Sequence, residues 1–242
     1  MPLRYERKYL VPIDALDTFR DEISPFVRPD TFADCSKGYP EYTVRSIYLD
    51  RYKKEAIRDK LDGLRDRKKL RIRGYNFREE DSKVFLEIKN KIADRIFKNR
   101  ALIPFNHLED VMNFGDFSFW DEKSHRKYHE DAVKFLYNVK RFNMFPVNLI
   151  VYDREPYQGK IDPGVRITFD KNIRSTLNPA FSELYDDIGY EYPWKNHFIL
   201  EIKYFNAPMP SWAKSIVHRY ELKAEALSKY VEGYICHDLV RI

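Results

Sequence analysis

Seven short segments of the chain alternate apolar and charged residues with a period of two, which is the pattern of a β-strand. Because a strand places residues i and i+2 on one face, Arg71 and Arg73 project together, whereas Leu70 and Ile72 project to the opposite side. The sequence therefore predicts seven strands, each with one apolar and one charged face. They span residues 4–10, 43–49, 69–75, 84–89, 149–154, 165–169 and 198–204.

Five stretches between and after these strands have the spacing of helices with one apolar stripe. In the first, residues 12–23, the apolar side chains of Leu16, Phe19 and Ile23 fall on one side. Strands and helices together predict an α+β fold, mostly antiparallel, with helices packed outside the sheet. The other four helical stretches span residues 105–114, 123–142, 211–220 and 225–239.

The charged faces have two interpretations for any single strand. In a one-sided sheet the apolar face meets the core and the charged face meets water. A sheet of seven such strands instead tends to curl or close, so that helices cover its apolar outside and the charged faces line a central cavity. Cations predominate on that wall and would repel one another, so we expect a polyanionic ligand between them. The wall residues are Lys8, Arg45, Arg71, Arg73, Lys89, Arg154, Arg166, Lys203, Glu6, Glu87 and Glu201.

Two of the strand segments nearly repeat each other. Residues 85–89 and 199–203 share the order apolar, apolar, acid, apolar, base. Chance recurrence of a strand pattern and an ancient duplication both remain open as explanations.

Composition limits the classes of protein to consider. The chain has 242 residues, its 43 Lys and Arg exceed its 38 Asp and Glu, and no Gly/Ser/Pro-rich linker interrupts it, so we expect one domain over residues 1–242. Two cysteines are too few for a disulfide framework, and the N-terminus is charged where a secretory signal would be apolar, which predicts a cytoplasmic protein. Nucleic acid is not expected as a partner, because acids interleave the basic runs and no binding motif appears.

Eight short motifs in order along the chain resemble the VTC domain, the polyphosphate polymerase domain of the triphosphate tunnel metalloenzyme (CYTH-like) superfamily. The resemblance implies a closed antiparallel eight-stranded β-tunnel with a charged interior, and ATP and inorganic polyphosphate or triphosphate as partners. The motifs occupy residues 6–9, 46–50, 70–73, 87–89, 152–154, 165–170, 200–203 and 228–230.

The resemblance also implies roles for individual residues. Four cations match positions at the reacting phosphates: Lys8, Arg71, Arg73 and Lys89. Further phosphate contacts are expected from Tyr152, Arg154, Arg166, Lys98, Lys203, Ser228 and Lys229. A divalent cation, Mn²⁺ or Mg²⁺, would be held by Glu201, with Glu6 and Glu87 as further carboxylates that alternatively balance charge.

The implied reaction is transfer of the γ-phosphoryl group of ATP to a growing polyphosphate chain. Hydrolysis of tripolyphosphate, and a non-catalytic polyphosphate-binding subunit, are the alternatives. Many relatives begin with an acid-x-acid-x-lysine strand, but here Arg4 replaces the first acid, which disfavours a two-metal hydrolase site. Family polymerases work beside membrane subunits, so a separate membrane partner at the inner face of the membrane is a further expectation.

Overall fold

The computed structural model describes residues 4–92, 95–120, 126–205 and 208–237, and these ranges form nine strands and six α-helices. The strands are β1 (Arg4–Pro12), β2 (Val27–Pro29), β3 (Tyr42–Asp50), β4 (Arg67–Tyr75), β5 (Lys83–Ile92), β6 (Arg95–Pro104), β7 (Phe145–Gly159), β8 (Arg166–Leu177) and β9 (His197–Phe205). The helices are α1 (Leu16–Ile23), α2 (Glu55–Leu61), α3 (Leu108–Phe114), α4 (Arg126–Arg141), α5 (Ser211–Arg219) and α6 (Lys229–Ile235), with 3₁₀ turns at Ile13–Ala15, Phe105–His107 and Ser182–Tyr185.

The strands form one sheet in the order β1-β9-β8-β7-β3-β4-β5-β6, and β2 pairs with β7. The pairs β1–β9, β2–β7, β3–β4, β4–β5, β5–β6 and β8–β9 are antiparallel. This confirms the mixed, antiparallel class. The sheet has nine strands rather than eight, and over the described residues its hydrogen-bonded order is open, ending at β1 and β6.

All seven predicted strands are present, but the end of the chain differs from the prediction. Residues 225–228 are not helical, and α6 begins only at Lys229. The backbone N–H of Glu225 instead donates to the carbonyl of Lys8 at 2.9 Å, so this segment pairs with the backbone of β1. Positions 123–125 and 238–239 of the predicted helices lie outside the described residues.

The described residues divide into two compact units. Unit 1 comprises Met1–Thr43, Tyr152–Ile173 and Tyr192–Lys229. Its core lies between helices α1 and α5 and the apolar faces of its strands: Phe19, Phe169, Phe198 and Ile202 are at most 2% exposed and belong to one cluster with Ile216 of α5. The strand faces that alternate with this core carry Glu6, Lys8, Glu201 and Lys203.

Unit 2 comprises Val44–Val151, Arg174–Glu191 and Tyr230–Ile242. Its core joins the apolar faces of β4 and β5 to α3 and α4, with Leu70, Ile72 and Leu86 packed in one cluster with Val111 and Phe135. Helices thus cover the apolar strand faces in each unit, as predicted. No helix among the described residues has the length and hydropathy needed to cross a membrane.

Candidate functional site

Several charged side chains of the strands are buried as thoroughly as their apolar neighbours. In unit 2, Glu87 is 1% exposed and Arg73 is 8% exposed, while the alternating Leu86 is 1% exposed. In unit 1, Glu201 is 4% exposed and Leu200 is 1% exposed. A solvated strand face does not account for these strands, because their charges are withdrawn from water and need partners.

In unit 2 the strand register builds a row of polar side chains across four strands. Tyr48 of β3 lies opposite Arg71 of β4, which lies opposite Glu87 of β5, which lies opposite Arg100 of β6. The guanidinium of Arg71 contacts Oε2 of Glu87 through Nε at 2.7 Å and Nη2 at 2.6 Å. Oε1 of Glu87 is in ion-pair contact with Nζ of Lys98 at 2.6 Å and Nε of Arg100 at 3.0 Å. One buried carboxylate thus faces three cations.

A second row in unit 2 consists of three lysines. Lys69 of β4 lies opposite Lys89 of β5, and Lys89 lies opposite Lys98 of β6. Like charges directly opposite each other destabilise a sheet. Burial, with Arg100 and Arg71 nearby, lowers the pKa of Lys98 despite the opposing effect of Glu87. This row favours binding of an anion.

Arg73 and Arg100 are held by neutral groups as well. Nε of Arg73 donates to the hydroxyl of Ser46 at 3.1 Å. Nη2 of Arg100 donates to the hydroxyl of Tyr75 at 3.2 Å, and its guanidinium carbon lies 3.4 Å from the ring centroid of Phe85. These contacts orient the two guanidinium groups without neutralising their charge.

Tyr48 has an unusual environment in unit 2. Its hydroxyl accepts a hydrogen bond from Nη1 of Arg71 at 3.1 Å, and its ring stacks on Tyr230 at 4.7 Å between centroids. Burial raises the pKa of Tyr48, but the cations Arg71, Arg73 and Lys69 outweigh it and bring the pKa to about 7. The hydroxyl of Tyr230, by contrast, donates to Oδ2 of Asp50 at 2.8 Å, and burial together with this carboxylate raises its pKa.

Unit 1 contains two rows across three strands, and in each row a carboxylate lies opposite a lysine. In the first, Lys8 of β1 lies opposite Glu201 of β9, which lies opposite Thr168 of β8. In the second, Glu6 lies opposite Lys203, which lies opposite Arg166. Lys203 is ion-paired with Glu201, and Lys8 with Glu6 at 3.2 Å. Burial and the nearby Arg154 lower the pKa of Lys203 well below its usual range.

Asp170 of β8 gathers two further cations in unit 1. Arg154 of β7 donates to both of its oxygens, through Nε at 2.6 Å and Nη2 at 2.7 Å, and Nζ of Lys229 lies 2.6 Å from Oδ2. Burial raises the pKa of Asp170, but Arg154 and Lys229 bring it well below its usual range. The ring of Tyr152 lies 5.3 Å from the guanidinium carbon of Arg154 and 4.7 Å from Nζ of Lys229.

Three predicted residues of unit 1, Lys8, Arg166 and Ser228, make further contacts or lie beside these side chains. Nη2 of Arg166 is 3.2 Å from Oδ2 of Asp30. Nζ of Lys8 donates to the carbonyl of Leu227 at 3.2 Å. Ser228 is buried, 8% exposed, immediately before Lys229 in the chain. The structure thus brings two sets of predicted residues together. The cation group of unit 1, with its carboxylates, consists of Glu6, Lys8, Tyr152, Arg154, Glu201, Lys203 and Lys229. The cation group of unit 2 consists of Arg71, Arg73, Glu87, Lys89 and Lys98.

The carboxylates differ in how well they suit a divalent cation. The described residues hold no group of three or more His, Cys, Asp or Glu side chains that could bind a metal. Mg²⁺ and Mn²⁺ accept one or two carboxylates when phosphate oxygens and water complete the shell. Glu201 and Glu6 lie on neighbouring strands in diagonal register and fit that donor set. The three cations around Glu87 favour a charge-balancing role for it instead.

One residue predicted on the charged wall is placed wrongly. Arg45 lies opposite Gly74, so it shares a face with Ile47 and Ile72 rather than with Arg71. It is fully buried and forms a bidentate pair with Asp187, through Nη1 at 2.8 Å and Nη2 at 3.1 Å. Arg45 therefore anchors the segment around Asp187 and does not belong to the cation group of unit 2.

Several residues of the two groups were not assigned roles from the sequence. Lys69 and Arg100 each stand two positions from an assigned cation, so strand periodicity alone carries a signal for them. Asp170 and Thr168 lie within a motif that was read only for Arg166. Tyr48 resembles an ordinary strand tyrosine until its neighbours across the sheet are known.

Comparison with known proteins identifies the family of this chain. The family model of the VTC domain matches residues 3–237. Among solved structures, a candidate adenylyl cyclase from Hippeastrum that reveals a dominant triphosphatase activity is 13% identical, with a TM-score of 0.50 and coverage of 98% of this chain and 97% of that chain. The PH1819 protein from Pyrococcus horikoshii OT3 is 17% identical, with a TM-score of 0.44 and coverage of 94% and 97%. Among curated proteins, none matches this chain. Since the family model spans nearly all of the sequence, the chain belongs to the VTC domain family.

Proposed function

We propose that this VTC domain transfers the γ-phosphoryl group of ATP to the end of a polyphosphate chain, with Mn²⁺ or Mg²⁺ as cofactor. The observation that supports this most directly is the row of Lys69, Lys89 and Lys98, which lies next to Arg71 on the same faces of β4, β5 and β6. The like charges of such a row repel one another, and an anion of high charge density bound beside them would relieve that repulsion. A linear chain of phosphates supplies that density along several residues.

Phosphoryl transfer suits a site built from cations, because its transition state is loose and spreads negative charge over the equatorial oxygens. Catalysis then depends on positioning and on charge stabilisation rather than on a protein nucleophile. Arg71 and Arg73 offer planar forks of donors that fix the orientation of a phosphate, whereas Lys89 and Lys98 act as compact charges. The products are ADP and a chain one phosphate longer.

In unit 1 we assign phosphate contacts to Lys8, Arg154, Lys203 and Lys229, with Tyr152 and Ser228 beside them. In the absence of ligand, Asp170 holds Arg154 and Lys229, and Glu201 holds Lys203, so these two carboxylates are the anions that phosphate oxygens would replace. The divalent cation, when bound at Glu201 and Glu6, would neutralise phosphate oxygens and hold their geometry. The closed tunnel implied by the family resemblance is part of this proposal.

Hydrolysis of tripolyphosphate is the second candidate. The Hippeastrum protein of similar fold is described by its dominant triphosphatase activity. The same cations serve both reactions, which differ in whether water or a phosphate terminus attacks the phosphorus.

The test is to incubate the purified chain with ATP and Mn²⁺ or Mg²⁺, resolve the products on a gel stained for polyphosphate, and assay orthophosphate in parallel. We expect a ladder of chains that is lost in Arg71→Ala and Arg73→Ala. Arg126→Ala is the matched control, because Arg126 is exposed on α4 and pairs only with Glu130 among the ion pairs of the described residues.

Each other outcome selects another function. Orthophosphate without chains indicates the hydrolase. Tripolyphosphate binding without turnover under either metal indicates a binding subunit that acts with a separate partner. Synthesis retained in both arginine variants, with folding confirmed by circular dichroism, contradicts the site assignment.

A further inference from the structure

Thr168 has a buried hydroxyl with no hydrogen-bond partner. The residue is 1% exposed, and its Oγ1 has neither a donor nor an acceptor among the described residues. Leaving a buried hydroxyl unpaired is unfavourable, and proteins seldom keep one without a reason. Valine has nearly the same shape as threonine and would suit this strand position between Ile167 and Phe169. The presence of the hydroxyl itself therefore needs an explanation.

The register places this hydroxyl within the cation group of unit 1. Thr168 lies on the same face of β8 as Arg166 and Asp170 and directly opposite Glu201 of β9. Cross-strand partners have Cβ atoms about 5 Å apart, so Thr168 borders the carboxylate of Glu201. The oxygens of Glu201 are directed elsewhere: Oε1 contacts Lys203 and Oε2 lies 3.9 Å from Nη2 of Arg154.

A second unpaired donor lies on the same face. Nε of Arg166 is buried and has no hydrogen-bond partner in the described part of the chain, although Nη2 of that guanidinium contacts Asp30. Same-face residues two apart on a strand are separated by roughly 6.7 Å, so the two donors reach different oxygens of one extended ligand. An N–H of arginine binds acceptors and never a metal ion, so the missing partner is an acceptor, and an anionic oxygen makes the stronger bond to a guanidinium.

We propose that the hydroxyl of Thr168 donates a hydrogen bond to a phosphoryl oxygen of a linear oligophosphate, beside the Nε of Arg166. The inference rests on the proposed function, because it adds a neutral donor to the same phosphate-binding face. Thr168 touches the ligand directly and contributes to affinity without altering the charge of the face.

The experiment measures tripolyphosphate binding by titration calorimetry, in one series with EDTA and in a second with Mn²⁺, together with the melting temperature of the ligand-free protein. Thr168→Val removes the hydroxyl and keeps the shape of the side chain. We expect its affinity to fall roughly tenfold or more, the usual loss for a hydrogen bond to a charged group, while its melting temperature stays unchanged or rises. Thr168→Ser restores the donor and is expected to bind within about twofold of the wild type.

Ser175→Ala is the matched control. Oγ of Ser175 in unit 2 is likewise buried and unpaired among the described residues, so its removal tests the effect of deleting such a hydroxyl away from the cation group of unit 1. If the Thr168→Val variant does not fold, the comparison of Thr168→Ala with Thr168→Ser takes its place. The control is expected to keep wild-type affinity.

Three results overturn the inference. Equal affinity of the wild type and Thr168→Val shows that the hydroxyl makes no contact with the ligand. A loss confined to titrations with Mn²⁺ shows a metal ligand instead of a phosphate donor. Failure of the wild type to bind tripolyphosphate both in EDTA and with Mn²⁺ contradicts the proposed function itself, whereas the first two results leave that function standing.

Discussion

Arg71 and Glu87 lie directly opposite each other on β4 and β5, and both Nε and Nη2 of the arginine contact one oxygen of the carboxylate, at 2.7 and 2.6 Å. The other oxygen faces Lys98 and Arg100. Glu87 therefore occupies, in the ligand-free protein, a place among three cations that a phosphate would compete for. Under the proposed function, this relationship links the stability of unit 2 to the binding of phosphate.

Glu87→Gln is expected to destabilise the protein and to increase its response to phosphate chains. The substitution leaves three cations without their shared anion, at a cost of about 3 kcal/mol, the lower end for a broken buried pair because Lys98 and Arg100 are partly exposed. Tripolyphosphate replaces the lost charge, so it should raise the melting temperature of the variant more than that of the wild type. Glu130→Gln, in an exposed pair with Arg126, is the control. Equal ligand-induced shifts in the two variants would contradict the competition.

Tyr48→Phe is expected to remove a tyrosinate that titrates near neutral pH. The pKa of Tyr48 is about 7 in the folded protein, against about 10 in an unfolded chain. Because the folded value is the lower one, ionisation of Tyr48 stabilises the protein increasingly as pH rises from about 7 to about 10, and this contribution is lost as pH falls through the folded pKa. Near-ultraviolet difference absorbance should show one tyrosinate forming near pH 7 in the wild type and none in the variant.

Ligand binding should reverse this ionisation. A phosphate near Arg71, Arg73 and Lys69 offsets the cations that lower the pKa of Tyr48, so tripolyphosphate should diminish the tyrosinate signal at mildly alkaline pH. Tyr137→Phe, on the exposed side of α4, should leave both signals unchanged. A titration that persists in Tyr48→Phe would refute the assignment.

Asp170→Asn is expected to make the protein less sensitive to acid. Arg154 and Lys229 hold the pKa of Asp170 below its usual value, so this carboxylate contributes stability that is complete above the unfolded value, about 3.9, and is lost as pH falls toward the folded one. The variant lacks that contribution at all pH values, so its urea midpoint should be lower at neutral pH and fall less on acidification. Parallel curves for variant and wild type would show that Asp170 is not the group responsible.

Lys89→Gln is expected to relieve repulsion in the lysine row. The substitution removes both like-charge pairs of the row, Lys69 with Lys89 and Lys89 with Lys98. Such pairs across strands cost about 0.2–1 kcal/mol each. The variant should unfold at a slightly higher urea concentration, bind tripolyphosphate more weakly, and show a smaller salt dependence of that binding. Lys83→Gln on the same strand is the control, because Lys83 is exposed and lies opposite Pro104. Weakened binding in both variants alike would indicate a general charge effect.

Period-two alternation was sufficient to predict the seven strands and the burial of their apolar faces, because both properties are local. Arg45 was misplaced because β3 is buried on both faces, so alternation does not distinguish them. Its partner Asp187 lies 142 positions away in the chain, and only the folded structure shows that pairing. Residues 225–228 were misread for a similar reason, since their backbone pairs with Lys8 at the other end of the sequence.

The two groups of cations were predictable as residue types and not as arrangements. The near-repeat around Glu87 and Glu201 placed an acid among bases in each case, and the structure assigns one copy to each unit. Which carboxylate serves several cations, and which hydroxyl lacks a partner, depends on cross-strand register. Register follows from turns and pairings that no single segment specifies.

Both faces of β5 contain buried residues with fixed partners, and this restricts how the chain can vary in length. A single residue inserted directly after Val84 would, with the register before it kept, turn Leu86 and Ile88 toward the cations and Glu87 toward the apolar core. The loop before β5, residues 76–82, is under no such constraint. Natural variants of this fold should therefore differ in length between their strands, and a frame-preserving insertion scan should find the middle of β5 intolerant and residues 76–82 permissive.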